Sequence, residues 1–170
     1  MLKLAEVLKP YLEVVRFNFP YRDKGAKRPD NMPVLKETIV NAATAVAPGR
    51  LLIGGRSMGG RAASMLAADG FACDGLLLFA YPLHPAGQPE KLRDAHLRQI
   101  PVPVLCFNGT RDALCTRELM DAAVGSLANW TMRWLEGADH SFRLLKSSAR
   151  TESDVYSEIA EATAAWLKAI

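Results

Sequence analysis

Near the middle of the 170-residue chain, a short apolar run, a glycine-rich turn and a helix-forming segment follow one another directly. Leu51–Ile53 predict a buried strand, and Arg61–Ala68 predict a helix. The motif Gly55-x-Ser57-x-Gly59 lies between them. A G-x-S-x-G motif that joins a strand to a helix is typical of a nucleophile elbow, in which the serine hydroxyl stands above the end of a sheet.

The glycines of this motif match the backbone geometry that an elbow needs. A turn this tight leaves almost no room for side chains two residues before and two residues after the serine, and Gly55 and Gly59 satisfy that requirement. Gly60 then allows the helix to approach the strands closely. The backbone N–H of Met58, at the positive end of the helix dipole, is the predicted oxyanion donor beside Ser57. A glycine-rich turn with an unreactive serine is the alternative interpretation.

Composition and charge exclude several other classes of protein. Hydrophobic residues make up 49% of the chain and charged residues 23%, with a net charge of +3, as expected for one globular domain over residues 1–170. Lysine and arginine are scattered apart from a cluster at 22–28, which predicts neither a nucleic-acid nor a membrane partner. The three cysteines form no C-x-x-C pair, and the start of the chain resembles no signal peptide. These features predict a cytoplasmic protein.

Strand-like and helix-like segments alternate along the rest of the chain. Predicted strands are Glu13–Phe17, Leu51–Ile53, Gly75–Ala80, Val102–Phe107 and the more exposed Trp130–Leu135; predicted helices are a first helix that ends at Pro10, Val34–Val46, Arg61–Ala68, Thr116–Leu127 and Val155–Leu167. A turn at Pro48 and Gly49 precedes the central strand. Residues 81–101 are predicted to form a surface excursion, that is, a segment that leaves the sheet and crosses the surface over the site, with a weak helical patch at Glu90–Leu97. This alternation predicts an α/β fold with a mostly parallel sheet and helices on both faces.

Ser57, Asp112 and His140 each follow the carboxyl end of a predicted strand, where sites in such sheets lie. A serine hydroxyl is a poor nucleophile near neutral pH, so it needs a base, and the base needs an orienting carboxylate. His140 is the predicted base, since His84 and His96 fall in the excursion and are expected at the surface.

The orienting carboxylate has more than one candidate in the sequence. Asp112 is favoured because it follows a buried strand and an Asn-Gly-Thr turn. The same side chain could instead cap the next helix. Asp139 would have to fold back on its neighbour His140, and Asp74 opens a strand at the opposite end of the sheet.

Two arginines flank the elbow. Arg56 precedes Ser57, and Arg61 lies in the following helix. Either could attract an anionic substrate, although a solvated side chain or a structural ion pair is the more common role of an arginine. Neither of the glycine-rich phosphate-binding motifs is present in the sequence.

Five segments together resemble the bacterial α/β-hydrolases of the dienelactone-hydrolase-like group, in particular the subfamily related to testis-expressed protein 30 and non-specific-lethal complex subunit 3 of animals. They are Arg16–Tyr21, Lys27–Asp30, Gly54–Arg61, Tyr81–Pro85 and Asp139–Phe142. The resemblance implies a three-layer α/β-hydrolase fold and a catalytic triad of Ser57, Asp112 and His140. The chain order Ser, Asp, His agrees with this superfamily.

The start of the chain departs from this group. Its members begin with further strands and a His-Gly-type loop, which donates the second oxyanion N–H, whereas this sequence begins at the first helix. The expectation is a truncated chain that is weakly active or inactive, since loss of one oxyanion donor typically costs about 10²–10³ in rate. Glu13–Phe17 and Leu51–Ile53 should then be separated by a slot or pair directly. Exposed strand edges would favour a homodimer.

The sequence therefore predicts a serine hydrolase that transfers the acyl group of a small ester or similar substrate to water. No metal or organic cofactor is required for this chemistry. A non-catalytic α/β-hydrolase-like interaction module is the alternative.

Overall fold

The structure is a computed structural model that describes residues 1–46 and 49–170. Its helices are α1 (Leu2–Leu8), α2 (Pro20–Asp23), α3 (Met32–Thr44), α4 (Met58–Ala68), α5 (Arg117–Val124) and α6 (Glu152–Leu167). Its strands are β1 (Leu52–Arg56), β2 (Gly75–Phe79), β3 (Val104–Gly109) and β4 (Trp130–Leu135). The turn predicted at Pro48 and Gly49 lies partly outside the described residues.

The four strands form one parallel sheet in the order β1-β2-β3-β4. β2 and β3 are buried along their whole length, which explains their unbroken apolar sequences, because a central parallel strand is covered on both faces. β4 is only partly buried, as its alternating sequence predicts for a strand at the sheet edge. The predicted parallel sheet is confirmed.

Helices cover both faces of the sheet, and alternate side chains of the strands define two cores. Leu76, Leu78 and Cys106 pack with residues of α3, α4 and α5. Leu77 and Phe107 belong to the other core, together with residues of α1 and α6. This alternation follows from the two-residue period of a strand, and it confirms the three-layer prediction.

The strand predicted at Glu13–Phe17 is wrong. This segment has no regular secondary structure, and no backbone hydrogen bond of its residues is observed in the described part of the chain. A cavity of about 910 Å³ lies between the segment and β1. Extended residues become a strand only when a neighbouring strand pairs with them. The expected slot is therefore present, and β1 is an edge strand of the sheet.

The predicted surface excursion at residues 81–101 also needs correction. Tyr81 and Leu83 are fully buried, and the helical patch predicted at Glu90–Leu97 is absent, with a single 3₁₀ turn at Leu97–Gln99 instead. His84 is 3% exposed, so its expected surface position is wrong. The first residues of this segment thus extend the core.

His96 is tied to the elbow helix rather than free at the surface. Its Nε2 atom lies 2.8 Å from Ser64 Oγ, on α4, and 3.3 Å from Tyr81 OH. Burial, reinforced by the nearby Arg61 guanidinium, lowers the pKa of His96 from 6.5 to about 4. The neutral imidazole therefore joins α4 to the segment that follows β2.

This lowered pKa predicts a loss of stability in acid. The unfolded chain protonates His96 near pH 6.5 and the folded chain near pH 4, so the free energy of unfolding should fall as the pH falls through that window. The effect should be on the order of 1 kcal/mol, because the half-buried ring is partly screened by solvent. Urea unfolding at pH 7.5 and pH 5 measures it, and His96→Gln should reduce the difference. An unchanged difference in this variant would contradict the assignment.

Candidate active site

Ser57 occupies the turn between β1 and α4 in a strained backbone conformation. Its φ and ψ angles are 52° and −118°, a region that residues other than glycine rarely enter and that costs on the order of 1–3 kcal/mol. Two hydrogen bonds hold it there: Ser57 N donates to Phe79 O at 2.8 Å, and Arg61 N donates to Ser57 O at 3.0 Å. The geometry is that of the predicted elbow.

Two glycines permit the close crossing of strand and helix at this turn. A Cβ atom on Gly55 would lie 2.9 Å from the carbonyl carbon of Gly59, and one on Gly60 would lie 2.7 Å from Gly55 O. A Cβ atom on Gly59 would meet only Phe19, at the ordinary distance of 3.6 Å. The steric requirement predicted for Gly55 and Gly59 therefore applies to Gly55 and Gly60, and Gly59 has space for a methyl group.

The three predicted residues form one continuous chain of hydrogen bonds. His140 Nε2 lies 2.9 Å from Ser57 Oγ. His140 Nδ1 lies 2.8 Å and 3.0 Å from the two carboxylate oxygens of Asp112. The Asp112 side chain is fully buried, whereas 26% of the His140 side chain is exposed. A buried carboxylate thus faces one ring nitrogen, and the nucleophile faces the other.

Asp112 is held in place by groups on either side of it. The Leu114 N–H donates to Asp112 Oδ1 at 2.8 Å, and Asn108 Nδ2 donates to Asp112 Oδ2 at 3.3 Å. Asn108 also accepts from Tyr81 N at 3.0 Å and donates to Tyr81 O at 3.1 Å. Its side chain therefore connects the end of β2 to the carboxylate. Sequence reasoning missed Asn108, because its partner Tyr81 lies 27 residues away.

Arg56 fastens the loop that carries His140. Its Nη2 atom donates to His140 O at 2.6 Å, and its guanidinium lies 5.5 Å from the centre of the Phe142 ring. Phe142 is buried and has a positive φ of 61°, so this loop turns sharply just after the histidine. Arg56 therefore lies beside the triad and connects the end of β1 to the loop that follows β4.

The other predicted candidates lie elsewhere. Arg61 lies near Arg93 and Tyr81, and burial together with the Arg93 charge lowers its pKa. Asp139 accepts the N–H groups of Ser141 and Arg143 at 2.7 and 2.9 Å and so closes its own loop. Asp74 accepts Leu51 N at 2.6 Å, at the amino end of the sheet. Neither of these two aspartates contacts His140 in the described hydrogen-bond network.

This arrangement is suited to nucleophilic attack on an acyl group. A neutral His140 can take the Ser57 proton while Asp112 orients and stabilises the resulting imidazolium. Met58 is the first residue of α4, so its N–H has no partner within the helix and can donate to a developing oxyanion. The cavity beside β1, which Ser57 lines, gives a substrate access to this hydroxyl.

A parallel sheet that carries a serine elbow, an aspartate and a histidine at the carboxyl ends of β1, β3 and β4 defines the class of α/β hydrolases. Residues 1–168 match the family model described as the alpha/beta hydrolase domain. The chain belongs to this family.

Solved structures share the fold. An α/β serine hydrolase homologue from Coxiella burnetii is 23% identical, with a TM-score of 0.70 over 98% of this chain and 74% of that one. The esterase domain of a Rhodothermus marinus protein is 18% identical, with a TM-score of 0.68 over 97% of this chain and 77% of that one. A dienelactone hydrolase-like promiscuous phosphotriesterase from metagenomic libraries is 20% identical, with a TM-score of 0.58 over 80% and 61%.

Among residues 1–46 and 49–170, no helix has the length and hydropathy needed to cross a bilayer.

Proposed function

We propose that this protein is a serine hydrolase that cleaves a small ester or related acyl substrate through Ser57, His140 and Asp112. The observation that carries the proposal is the unbroken hydrogen-bond chain from Ser57 Oγ through His140 to the buried Asp112 carboxylate. Further support comes from two neighbours of the same fold, one described as a serine hydrolase homologue and one as an esterase domain.

The reaction proceeds in two acyl transfers. His140 Nε2 removes the proton of Ser57 as the oxygen attacks the substrate carbonyl, and the Met58 N–H stabilises the oxyanion. Collapse of this intermediate breaks the ester C–O bond, and His140 returns the proton to the departing alkoxide. Water then attacks the acyl-serine with His140 again as the base, which releases the acid and regenerates Ser57.

The expected rate is low. In the described part of the chain, the elbow supplies one oxyanion donor, the Met58 N–H, and an open cavity lies between β1 and the Glu13–Phe17 segment. Loss of one such donor typically lowers the rate by about 10²–10³. An active-site label therefore tests the proposal more directly than turnover does.

We expect a fluorophosphonate probe to label the protein at Ser57. The reaction needs only an activated serine, and phosphonylation accumulates even when turnover is slow. Labelling is measured by intact mass and by the modified peptide. Ser57→Ala and His140→Ala should abolish it, while Ser126→Ala, at an exposed serine on a distant loop, should not. A folded wild-type protein that resists the probe would contradict the proposal and favour a non-catalytic interaction module.

A further inference from the structure

Four arginines from separate parts of the chain converge beside the triad. Arg16 and Arg22 come from the segment around α2, Arg56 ends β1, and Arg143 follows His140 in sequence. All four line one cavity of about 690 Å³. We call Arg16, Arg22, Arg56 and Arg143 the arginine cluster.

Carboxylates do not neutralise this cluster. Among the described residues that line the cavity, Glu152 is the only acidic one, and its carboxylate forms an ion pair with Lys3 Nζ at 2.9 Å. Two nearby aspartates hydrogen-bond to neutral amides instead of pairing with an arginine of the cluster in the described residues: Asp23 accepts Asn18 Nδ2 at 3.0 Å, and Asp139 accepts backbone N–H groups. In the part of the chain that the structure describes, the guanidinium groups of three cluster members form no ion pair or hydrogen bond: Arg16, Arg22 and Arg143.

Arg56 is the one cluster member with a polar partner. It uses Nη2 to donate to the His140 carbonyl, and a guanidinium has five N–H donors in all. Donors therefore remain for a ligand. Like charges held together in one concave site create a positive potential that attracts anions and repels cations.

The arginine cluster lies where it can contact a substrate that is bound at Ser57. Arg56 is the residue before the nucleophile, and Arg16 and Arg22 also line the larger cavity, to which Ser57 itself contributes. A substrate whose carbonyl lies at Ser57 can therefore place a charged substituent among the arginines that line both cavities.

The amount of charge indicates the kind of anion. A single carboxylate would neutralise one of three unpaired guanidinium groups, whereas a phosphate monoester carries about −1.5 to −2 at neutral pH and offers three acceptor oxygens. Arginine also matches phosphate geometry through paired N–H donors. Resting on the hydrolase function proposed above, we propose that the substrates are short-chain acyl esters of phosphorylated alcohols, with the phosphate bound by the arginine cluster.

Three substrates with the same primary butyryl ester test this proposal. Monobutyrin and 1-butyrylglycerol 3-phosphate differ only by the phosphate, and 4-butyryloxy-3-hydroxybutanoate carries a carboxylate at the end of the chain instead. We expect kcat/KM, measured from butyrate release by NMR, to be at least tenfold higher for the phosphate ester than for either of the others. This preference should weaken as sodium chloride is raised, because salt screens the attraction. Equal rates, or a faster carboxylate ester, would overturn the proposal.

Variants of the arginine cluster test whether these residues cause the preference for the phosphate ester. Arg16→Gln combined with Arg143→Gln should remove most of the phosphate preference. Arg98→Gln combined with Arg133→Gln removes the same two charges at exposed positions that do not line the cavity, and it should preserve the preference. A preference that survives in the variant of Arg16 and Arg143 would overturn the assignment of the arginines.

A binding measurement separates this proposal from the hydrolase function. Ser57→Ala should bind glycerol 3-phosphate but not glycerol in calorimetry at low salt, and the double change of Arg16 and Arg143 should abolish that binding. Binding without hydrolysis of any ester would mean that the anion site exists but the catalytic function is wrong. Hydrolysis without binding or preference would mean that the catalytic function is right and the phosphate site is wrong.

Discussion

His140→Ala is expected to lower kcat for ester hydrolysis by about 10⁴–10⁶. Among residues 1–46 and 49–170, His140 is the only group within hydrogen-bond distance that can accept the Ser57 proton, with Nε2 at 2.9 Å from Oγ. The fold should be kept, because 26% of this side chain is exposed and its loop is anchored by Arg56 through the backbone carbonyl. Initial rates with a p-nitrophenyl ester, and circular dichroism of the same sample, measure the two quantities.

The orienting carboxylate is identified by a matched pair of substitutions. Asp112→Asn should lower kcat by about 10⁴, because an amide stabilises the wrong tautomer and does not compensate the imidazolium charge. Asp139→Asn makes the same chemical change one residue from His140, and its oxygen can still accept the Ser141 and Arg143 N–H groups. Asp139→Asn should lower kcat by less than tenfold. Comparable losses in the two variants would show that the assignment of Asp112 is wrong.

Gly54→Ala is expected to unfold the protein. An added Cβ would lie 2.1 Å from Leu77 O and 2.9 Å from its carbonyl carbon, so β1 could not remain paired with β2. Since this backbone lies inside the sheet and cannot move away, the cost should exceed about 4 kcal/mol, which is exceptional for one substitution. Urea unfolding, or the yield of soluble protein where no folded state remains, measures it.

Gly59→Ala is the control for this steric argument. Its Cβ would contact only Phe19 at 3.6 Å, and alanine is favoured over glycine within a helix by about 1 kcal/mol. We therefore expect equal or slightly higher stability than in the wild-type protein. A wild-type unfolding midpoint for Gly54→Ala, or a large loss for Gly59→Ala, would contradict the packing described for the elbow.

The sequence predictions succeed where nearby residues determine a helix or strand, and they fail where a distant partner is needed. The strands at Gly75–Phe79 and Val104–Gly109 are apolar enough to be recognised anywhere, because only a doubly covered strand tolerates such a run. α6 begins at Glu152, three residues before its predicted start, with a capping box between Thr151 and Asp154 that sequence reasoning overlooked. By contrast, Glu13–Phe17 has strand-like residues without a partner strand, and pairing is not a local property.

The candidate site shows the same division. Ser57, Asp112 and His140 could be predicted because parallel strands bring their carboxyl ends to one edge of a sheet. The partners that hold them could not be predicted in this way: Asn108 reaches Tyr81 across 27 residues, and Arg56 reaches the His140 carbonyl across 84. Hydrogen bonds over such separations depend on strand order and loop direction, which no short-range pattern contains.

By itself, the sequence determined the periodicity of its strands and helices, the glycine turn at Ser57 and the three residues that follow strand ends. Only the tertiary structure decided that the Glu13–Phe17 segment stays apart from β1, that His84 is buried, and that four arginines meet beside the triad. The physical reason is that periodicity and turn chemistry act between neighbours in the chain. Strand pairing, burial and electrostatic potential depend instead on which distant residues share the same space.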